Sequence, residues 1–160
     1  YRYDKNDKLL TAVAHVGGRT RVRILFDGSA KEYENDSHLF SAIASEGISI
    51  DMINVNPDFK LFIIVDDDVE KLETALNRYG YNYELKKDCS KVTIIGNKMR
   101  GVPGVMAKAI RALAKHNIEI LQTSDSHTTI SCLIESINTN TAVNALHHEF
   151  ELGKPAIQNL

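Results

Sequence analysis

The sequence predicts an α+β protein made of two tandem βαββαβ units, each an antiparallel sheet with both helices on one face. Three observations predict it. The chain repeats itself at a spacing of 70 residues without a gap. Each copy runs through strand, helix, two strands and a second helix in that order. A β-rich segment stands ahead of the first copy, while the second copy lacks a closing strand.

The repeat rests on identities. A shift of 70 residues places Val22 on Val92, Ile24 on Ile94, Ala42 on Ala112, Ala44 on Ala114, Ile48 on Ile118, Ile50 on Ile120, Ile64 on Ile134, Ala75 on Ala145 and Leu76 on Leu146. Apolar character is kept between them, as in Leu25 with Ile95, Phe40 with Ile110 and Ile43 with Leu113. The two copies span about 22–86 and 91–152.

The first strand of each copy is a β-rich run, Val22 to Phe26 or Lys91 to Ile95. The first helix follows a polar or Gly-containing turn. In copy one Asp36 or Ser37 is the expected cap, Leu39, Phe40 and Ile43 form the apolar stripe, and Gly47 supplies a left-handed stop. In copy two Pro103 sits near the first turn, Val105, Ala109, Ile110 and Leu113 form the stripe, and Asn117 replaces Gly47. Gly and Asn both tolerate positive φ, so the same stop is expected twice.

Two strands around a tight turn come next: Ile48 to Val55 and Phe59 to Val65, then Ile118 to Ser124 and Thr129 to Glu135. Asn56, Pro57 and Asp58 mark one turn and Asp125 to His127 the other. The second helices are expected at Val69 to Arg78, ended by Gly80, and at Thr141 to Glu149. Asp66 to Asp68 are expected to cap the former and favour its positive end. Copy one closes with Tyr81 to Lys86, which completes the split βαβ, ferredoxin-like order. Copy two ends in Gly153 to Leu160, which has little β character, so the leading Leu9 to Val16 is expected to supply its missing strand. The expected domains are residues 17–88 and 89–152 with strand 9–16 added to the second, interlocked as one rigid body, and flexible ends at 1–8 and 153–160.

Composition narrows the function. The 160 residues are 43% hydrophobic and 25% charged, which suits a globular chain of one domain or two small ones. The net charge is -2 and Lys and Arg are dispersed, so no nucleic-acid footprint is present. An RNA-reading split βαβ domain would also need basic and aromatic residues across its sheet, and the chain has no Trp. No run approaches the roughly 20 apolar residues of a membrane span, and Tyr1 to Lys8 is polar where a secretory signal is apolar. Cys89 and Cys132 are too few for a disulfide framework or a zinc site and fit reduced, buried thiols of a cytoplasmic protein. The first residue is not Met, as in a fragment of a larger protein. His147 and His148, adjacent on a helix, point about 100° apart, which is wrong for a shared metal and fits two surface residues. Arg19, Arg21 and Arg23 alternate along a strand as one solvated face, with contact to a partner domain as the other option. No nucleophile, base and orienter can be assembled into a catalytic set, and no metal site is expected.

Local sequence then points to a family. Val92 to Gly96, the turn Met99-Arg100-Gly101-Val102-Pro103-Gly104-Val105, the run Asn117-Ile118-Glu119-Ile120 and the closing Ala145-Leu146-His147 to Phe150 closely resemble, in order, the last regulatory module of aspartokinases. Ser49-Ile50-Asp51-Met52-Ile53-Asn54 resembles the preceding module more weakly. The resemblance implies tandem ACT modules that bind an end-product amino acid (diaminopimelate, lysine or threonine), dimerise, and feedback-control a catalytic domain that phosphorylates aspartate. That domain's Lys-Phe-Gly-Gly-Ser-type nucleotide loop has no counterpart here. ATP and Mg are therefore expected only for the kinase domain, and no cofactor for this chain.

Two departures stand out. Asp27-Gly28-Ser29-Ala30-Lys31 replaces a short Asp-Lys-Pro-Gly turn, which puts a pocket in copy one in doubt. Ser124-Asp125-Ser126-His127-Thr128-Thr129 replaces the turn of lysine- and threonine-sensitive members and looks like the diaminopimelate-sensitive class.

An amino-acid sensor needs N–H groups facing a carboxylate and acceptors facing an ammonium. Gly101 to Val105 offer the first, since Gly lets backbone approach a ligand and free helix N–H groups favour an anion. A tight strand-to-helix turn is the alternative. Asp51, Asn54, Gln122 and Ser124, near the ends of the second strands, offer acceptors, the alternative being the solvent side of an alternating strand. His127, with Asp125 and Ser126, is the candidate for a second carboxylate, against a solvated turn histidine. Thr123 shares the reading of Gln122 and Ser124, and the candidate effector-binding set further includes Asp27, Ile50, Met99, Val102, Pro103, Gly104, Asn117 and Ile118. A non-sensing dimerisation module of the same kinase, or an ACT sensor of another amino-acid pathway protein, remains the alternative function.

Overall fold

The structure, a computed structural model, describes residues 10–26, 32–96 and 104–150. Its elements in chain order are β1 (Leu10–Leu25), α1 (Glu32–Ser45), β2 (Asp51–Val55), β3 (Phe59–Val65), α2 (Val69–Arg78), β4 (Asn82–Gly96), α3 (Val105–Ala114), β5 (Gln122–Asp125), β6 (Thr129–Glu135) and α4 (Thr139–Glu149). They fall into two compact units. The first is Gly18–Cys89, and the second joins the chain up to Gly17 with the chain from Ser90 onward.

In the first unit the strand order is β2-β3-β1-β4, and in the second β1-β4-β6-β5. The second unit opens on the latter half of β4 and has no strand after α4 among the described residues. The leading half of β1 takes that place beside β4. Val13 packs against the second unit's core. Each unit thus reaches four strands and two helices, enough to bury one face of a sheet.

The cores show why the repeat folds twice. Val22, Ile24, Leu39, Ile43, Ile48, Phe62, Ile64, Leu72 and Leu76 of the first core correspond to Val92, Ile94, Ala109, Leu113, Ile118, Cys132, Ile134, Ala142 and Leu146 of the second. Period two on β3 and β6 and a spacing of three or four on the helices place these residues on matching faces. Hydrogen bonds repeat as well: Phe26 N–H donates to the Asp58 carbonyl at 3.0 Å and Gly96 N–H to Thr128 at 2.8 Å. Buried hydroxyls follow suit. Thr20 donates to Asp66 Oδ1 at 2.7 Å, and Ser90 donates to Ser136 Oγ at 3.1 Å while accepting from Thr139 at 2.8 Å.

Both helix stops are left-handed, with φ of 71° at Gly47 and 56° at Asn117. After each stop an amide turns back to its helix: Ile48 N–H to Ile43 at 3.4 Å and Ile118 N–H to Leu113 at 3.1 Å. Those bonds shorten the strands that follow. β2 begins at Asp51 and β5 at Gln122, not at Ile48 and Ile118, whose side chains turn into the cores.

Further expectations are corrected. Asp36 and Ser37 lie inside α1 and cap nothing, because the helix already starts at Glu32. Ile110 is 42% exposed, and Ala112 takes its place in the buried stripe of α3. Asp66 to Asp68 stand ahead of the positive end of α2 as expected, with Asp68 at the N-cap position, but as a 3-10 turn without a side-chain capping bond, since Asp66 is engaged by Thr20 and Asp68 pairs with Lys71 at 3.3 Å. The short strands read separately at 9–16 and 22–26, and at 81–86 and 91–95, are continuous as β1 and β4, and α4 starts at Thr139. Strand continuity depends on partners far along the chain, which the local Gly17-Gly18 and Lys87-Asp88 sequences do not disclose.

Arg19, Arg21 and Arg23 are half-buried instead of fully solvated. Arg23 lies 4.7 Å from the Phe59 ring centroid and 3.8 Å from the Glu84 carboxylate. His147 is half-buried as well, and His148 is exposed. Among the described residues no helix is long and apolar enough to cross a membrane, and no cluster of three metal-binding side chains occurs.

Candidate functional site

In the second unit the β5–β6 turn meets the end of β4. Gly96 closes β4 and donates to Thr128, so the β5–β6 turn lies beside it at 2.8 Å. α3 opens at Val105, a member of the same core as Ile94 and Ile130. Its cap, Gly104, has φ 85° and ψ -2° and has no capping side chain. A Cβ there would meet nothing within 4 Å, so the left-handed backbone, not crowding, calls for glycine. The Gly104 carbonyl accepts the first helical bond from Lys108 at 2.9 Å, and no acidic side chain lies in the first turn. The opening N–H groups of α3 thus present a positive end suited to an anion.

The β5–β6 turn carries the polar side chains. Thr123 faces Cys132, Ser124 faces Ser131 and Asp125 faces Ile130 in the antiparallel pairing. Thr123 and Ser124 are half-buried, and Asp125 and His127 are exposed. Ser126 is spent on the turn: its Oγ accepts from Thr129 N–H at 3.1 Å and lies 2.7 Å from Thr129 Oγ1. Gln122 differs from the solvent-facing polar residue that alternation allowed. It is 5% exposed, opposite Leu133.

Ser124, Asp125 and His127 therefore lie by the end of β4, and Val105 at the start of α3 joins Ile94 and Ile130 in the core. Asn117 and Ile118 follow the far end of α3, whose ten residues span about 15 Å. Asn117 is the exposed helix stop and Ile118 a core residue. Met99, Gly101, Val102 and Pro103 lie outside the described residues, as does Asp27.

In the first unit Ile50 is half-buried just before β2. Asp51 is exposed and its Oδ1 accepts from Met52 N–H at 2.8 Å. Met52 has φ 52°, and the pairing slips between Asp51 and Asn54, a bulge that sets Asn54, half-buried, opposite Leu61.

The equivalent end of this unit holds a group the sequence reading passed over. Lys60 is 1% exposed, on the core side of β3. Its ammonium donates to the Asn56 carbonyl, lies 3.5 Å from Asp36 Oδ1 and 5.1 Å from the Phe26 ring centroid. Beside it Tyr81 donates to the Asn35 carbonyl at 3.3 Å and lies 2.9 Å from His38 Nδ1. Burial, and then the Asp36 charge, push the Tyr81 hydroxyl pKa up. A signal for Lys60 existed: the repeat sets it on Ile130, within the otherwise apolar run from Phe59 to Val65.

Comparison with known proteins agrees with this architecture. The ACT domain family profile matches residues 84–148. Aspartokinase 1 of Bacillus subtilis is 36% identical over 151 residues, covering 94% of this chain and 37% of the relative. The aspartokinase of Mycolicibacterium smegmatis is 35% identical, covering 92% of this chain and 37% of its own length. The chain thus spans little more than a third of these curated relatives. The ligand-free regulatory subunit of aspartate kinase from Thermus thermophilus superposes with a TM-score of 0.79 at 27% identity, covering 89% of this chain and 99% of that one. That from Thermus flavus gives 0.80 at 26% identity with the same coverage. The chain is an ACT-domain regulatory region homologous to the regulatory subunits of aspartokinases.

Proposed function

We propose that this chain is the allosteric regulatory region of an aspartokinase, binding an end-product amino acid and thereby feedback-controlling ATP-dependent phosphorylation of aspartate. The carrying observation is the match along almost the whole of an aspartate kinase regulatory subunit, 89% of this chain against 99% of that one. Catalysis, ATP and Mg belong to the kinase domain as partner, and the chain itself carries the effector site. Its setting is the cytoplasm.

The effector site is proposed at the end of the second unit. The opening amides of α3, with Gly101 to Val105, face the effector's α-carboxylate. Ser124, with Thr123 and Gln122 behind it, supplies acceptors toward the ammonium. His127 beside Asp125 faces the distal group, which favours diaminopimelate, with its second carboxylate, over lysine and threonine. Met99 is proposed to complete those contacts and Asn117 and Ile118 to position α3, while Asp27, Ile50, Asp51 and Asn54 mark the corresponding place in the first unit.

A homodimer is proposed through the edge strands, since an unpaired edge is a template for pairing. β2 is such an edge and exposes Ile53 and Val55 by 49% and 58%. An effector that prefers one arrangement of the dimer by about 1 to 3 kcal/mol changes activity roughly 5- to 150-fold.

The test is calorimetric titration with meso-diaminopimelate, lysine and threonine in parallel, with the assembly state followed by ultracentrifugation. Saturable binding of one of them supports the sensor. A stable dimer that binds none supports the assembly module instead, and binding of a different amino acid supports a sensor of another pathway.

A further inference from the structure

We infer that the first unit contains a primary-ammonium site that the chain fills with its own Lys60, so this unit is permanently self-liganded. The inference rests on reading the chain as an amino-acid sensor; it adds that sensing is confined to the second unit.

The chemistry of the site is that of ammonium recognition. A carbonyl oxygen from the β2–β3 turn, a carboxylate from α1 and an aromatic face from the end of β1 converge on one Nζ. Each comes from a different element, so the arrangement is a cage and not a local turn. The cost of burying a charge explains why all three are needed together.

The repeat supplies the control. In the second unit Lys60, Asp36, Phe26 and Asn56 are replaced by Ile130, Met106, Gly96 and Ser126. Cation, carboxylate and ring all disappear at once, and an apolar Ile130, 5% exposed, stands in the core. The cage and its lysine therefore form one device, present in the unit whose strand-to-helix turn departs from the family pattern. Lys60 puts an ammonium at the same end of the first unit where the second unit is proposed to take a free amino acid.

The experiment is chemical rescue. Lys60→Ala keeps Cβ and removes a propylammonium, so n-propylammonium chloride is the probe. Lys60→Ala is expected to melt about 10 °C below the parent chain. Added n-propylammonium should restore most of that loss saturably, whereas 1-propanol and sodium chloride should not. The parent chain should not respond, and Lys60→Ala with Asp36→Asn should lose the rescue. Equal rescue by 1-propanol, or none by either, overturns the proposal. Should Lys60→Ala fail to fold, Lys60→Met, which keeps the stem, decides through its coupling to Asp36→Asn: additive losses overturn the proposal and strong coupling supports it. Titration of the parent chain with amino acids is read separately. Failure to bind any of them sinks the sensor reading and leaves the rescue result as it stands.

Discussion

The Thr20 hydroxyl donates to the Asp66 carboxylate across 2.7 Å from a position wholly shielded from water. The bond ties β1 to the turn that opens α2, and its counterpart in the second unit joins Ser90 to Ser136. Thr20→Val keeps the shape and removes the donor. Asp66 is exposed and regains water, so the loss should be modest, about 1 kcal/mol. Urea denaturation should show a lower midpoint with an unchanged slope. Ser90→Ala takes its donor from the half-buried Ser136 hydroxyl, while Thr139 still donates to the Ser136 carbonyl at 2.7 Å, and should cost about as much.

Much of this was legible in the sequence because the repeat is gapless. Where both copies carry the same signal, as at Phe59 to Val65 and Thr129 to Glu135, the strands run between those residues. α2 likewise runs from Val69 to Arg78, since an apolar spacing of three and four coincides with a Gly80 stop. Long-range pairing was not legible. Nothing local in Gly17-Gly18 or Lys87-Asp88 shows that a strand continues through it. Lys60 was missed for another reason: a charge in an apolar strand is read as solvent-facing until its partners, Asp36 and Phe26, are brought to it by the fold.

The two cores differ in what fills equivalent places. Phe62 is fully buried in the first, and Cys132 stands at the matching place in the second, 1% exposed. Phe62→Ala should cost about 3 to 5 kcal/mol through lost burial and the cavity left behind. Cys132→Ala removes one sulfur and should cost about 1 kcal/mol. Equal losses in thermal denaturation would show that the site around Phe62 collapses to fill the space.

Burial also sets the behaviour of the thiols. It pushes Cys132 from its ordinary 9.0 up to about 11, and raises Cys89 as well. Because the folded pKa of Cys132 is raised, the unfolded chain releases the proton first as pH rises. Stability is fully present below about 9 and is lost between 9.0 and about 11, by roughly 2 kcal/mol. Cys132→Ala should flatten that alkaline loss. Thiol-specific alkylation at pH 8 should follow opening of the fold, with protection of both cysteines in the native chain.

The helix stops offer a cleaner backbone test. Asn117 holds φ 56° where the first unit has Gly47 at 71°. Asn117→Gly should change stability by less than about 0.5 kcal/mol, while Asn117→Ala should cost about 1 kcal/mol, because a Cβ without a compensating polar group is strained there. Gly104→Ala, at φ 85°, should cost a similar amount. If it also weakens effector binding beyond its effect on folding, the opening of α3 belongs to the site.

His127 separates folding from recognition. It is exposed at the tip of a turn held by Ser126 and Thr129, not by its own ring. His127→Ala should therefore leave the melting temperature almost unchanged, as surface substitutions away from such contacts do. If its ring faces the second carboxylate of diaminopimelate, removing one charge-assisted hydrogen bond of about 1.5 to 3 kcal/mol weakens that ligand at least tenfold. Lysine and threonine have no distal carboxylate and should bind the variant as they bind the parent chain. Calorimetry with all three ligands reads the difference directly. A uniform loss for every ligand would instead mark the substitution as a disturbance of the β5–β6 turn, and an unchanged diaminopimelate affinity would move the distal contact to another residue.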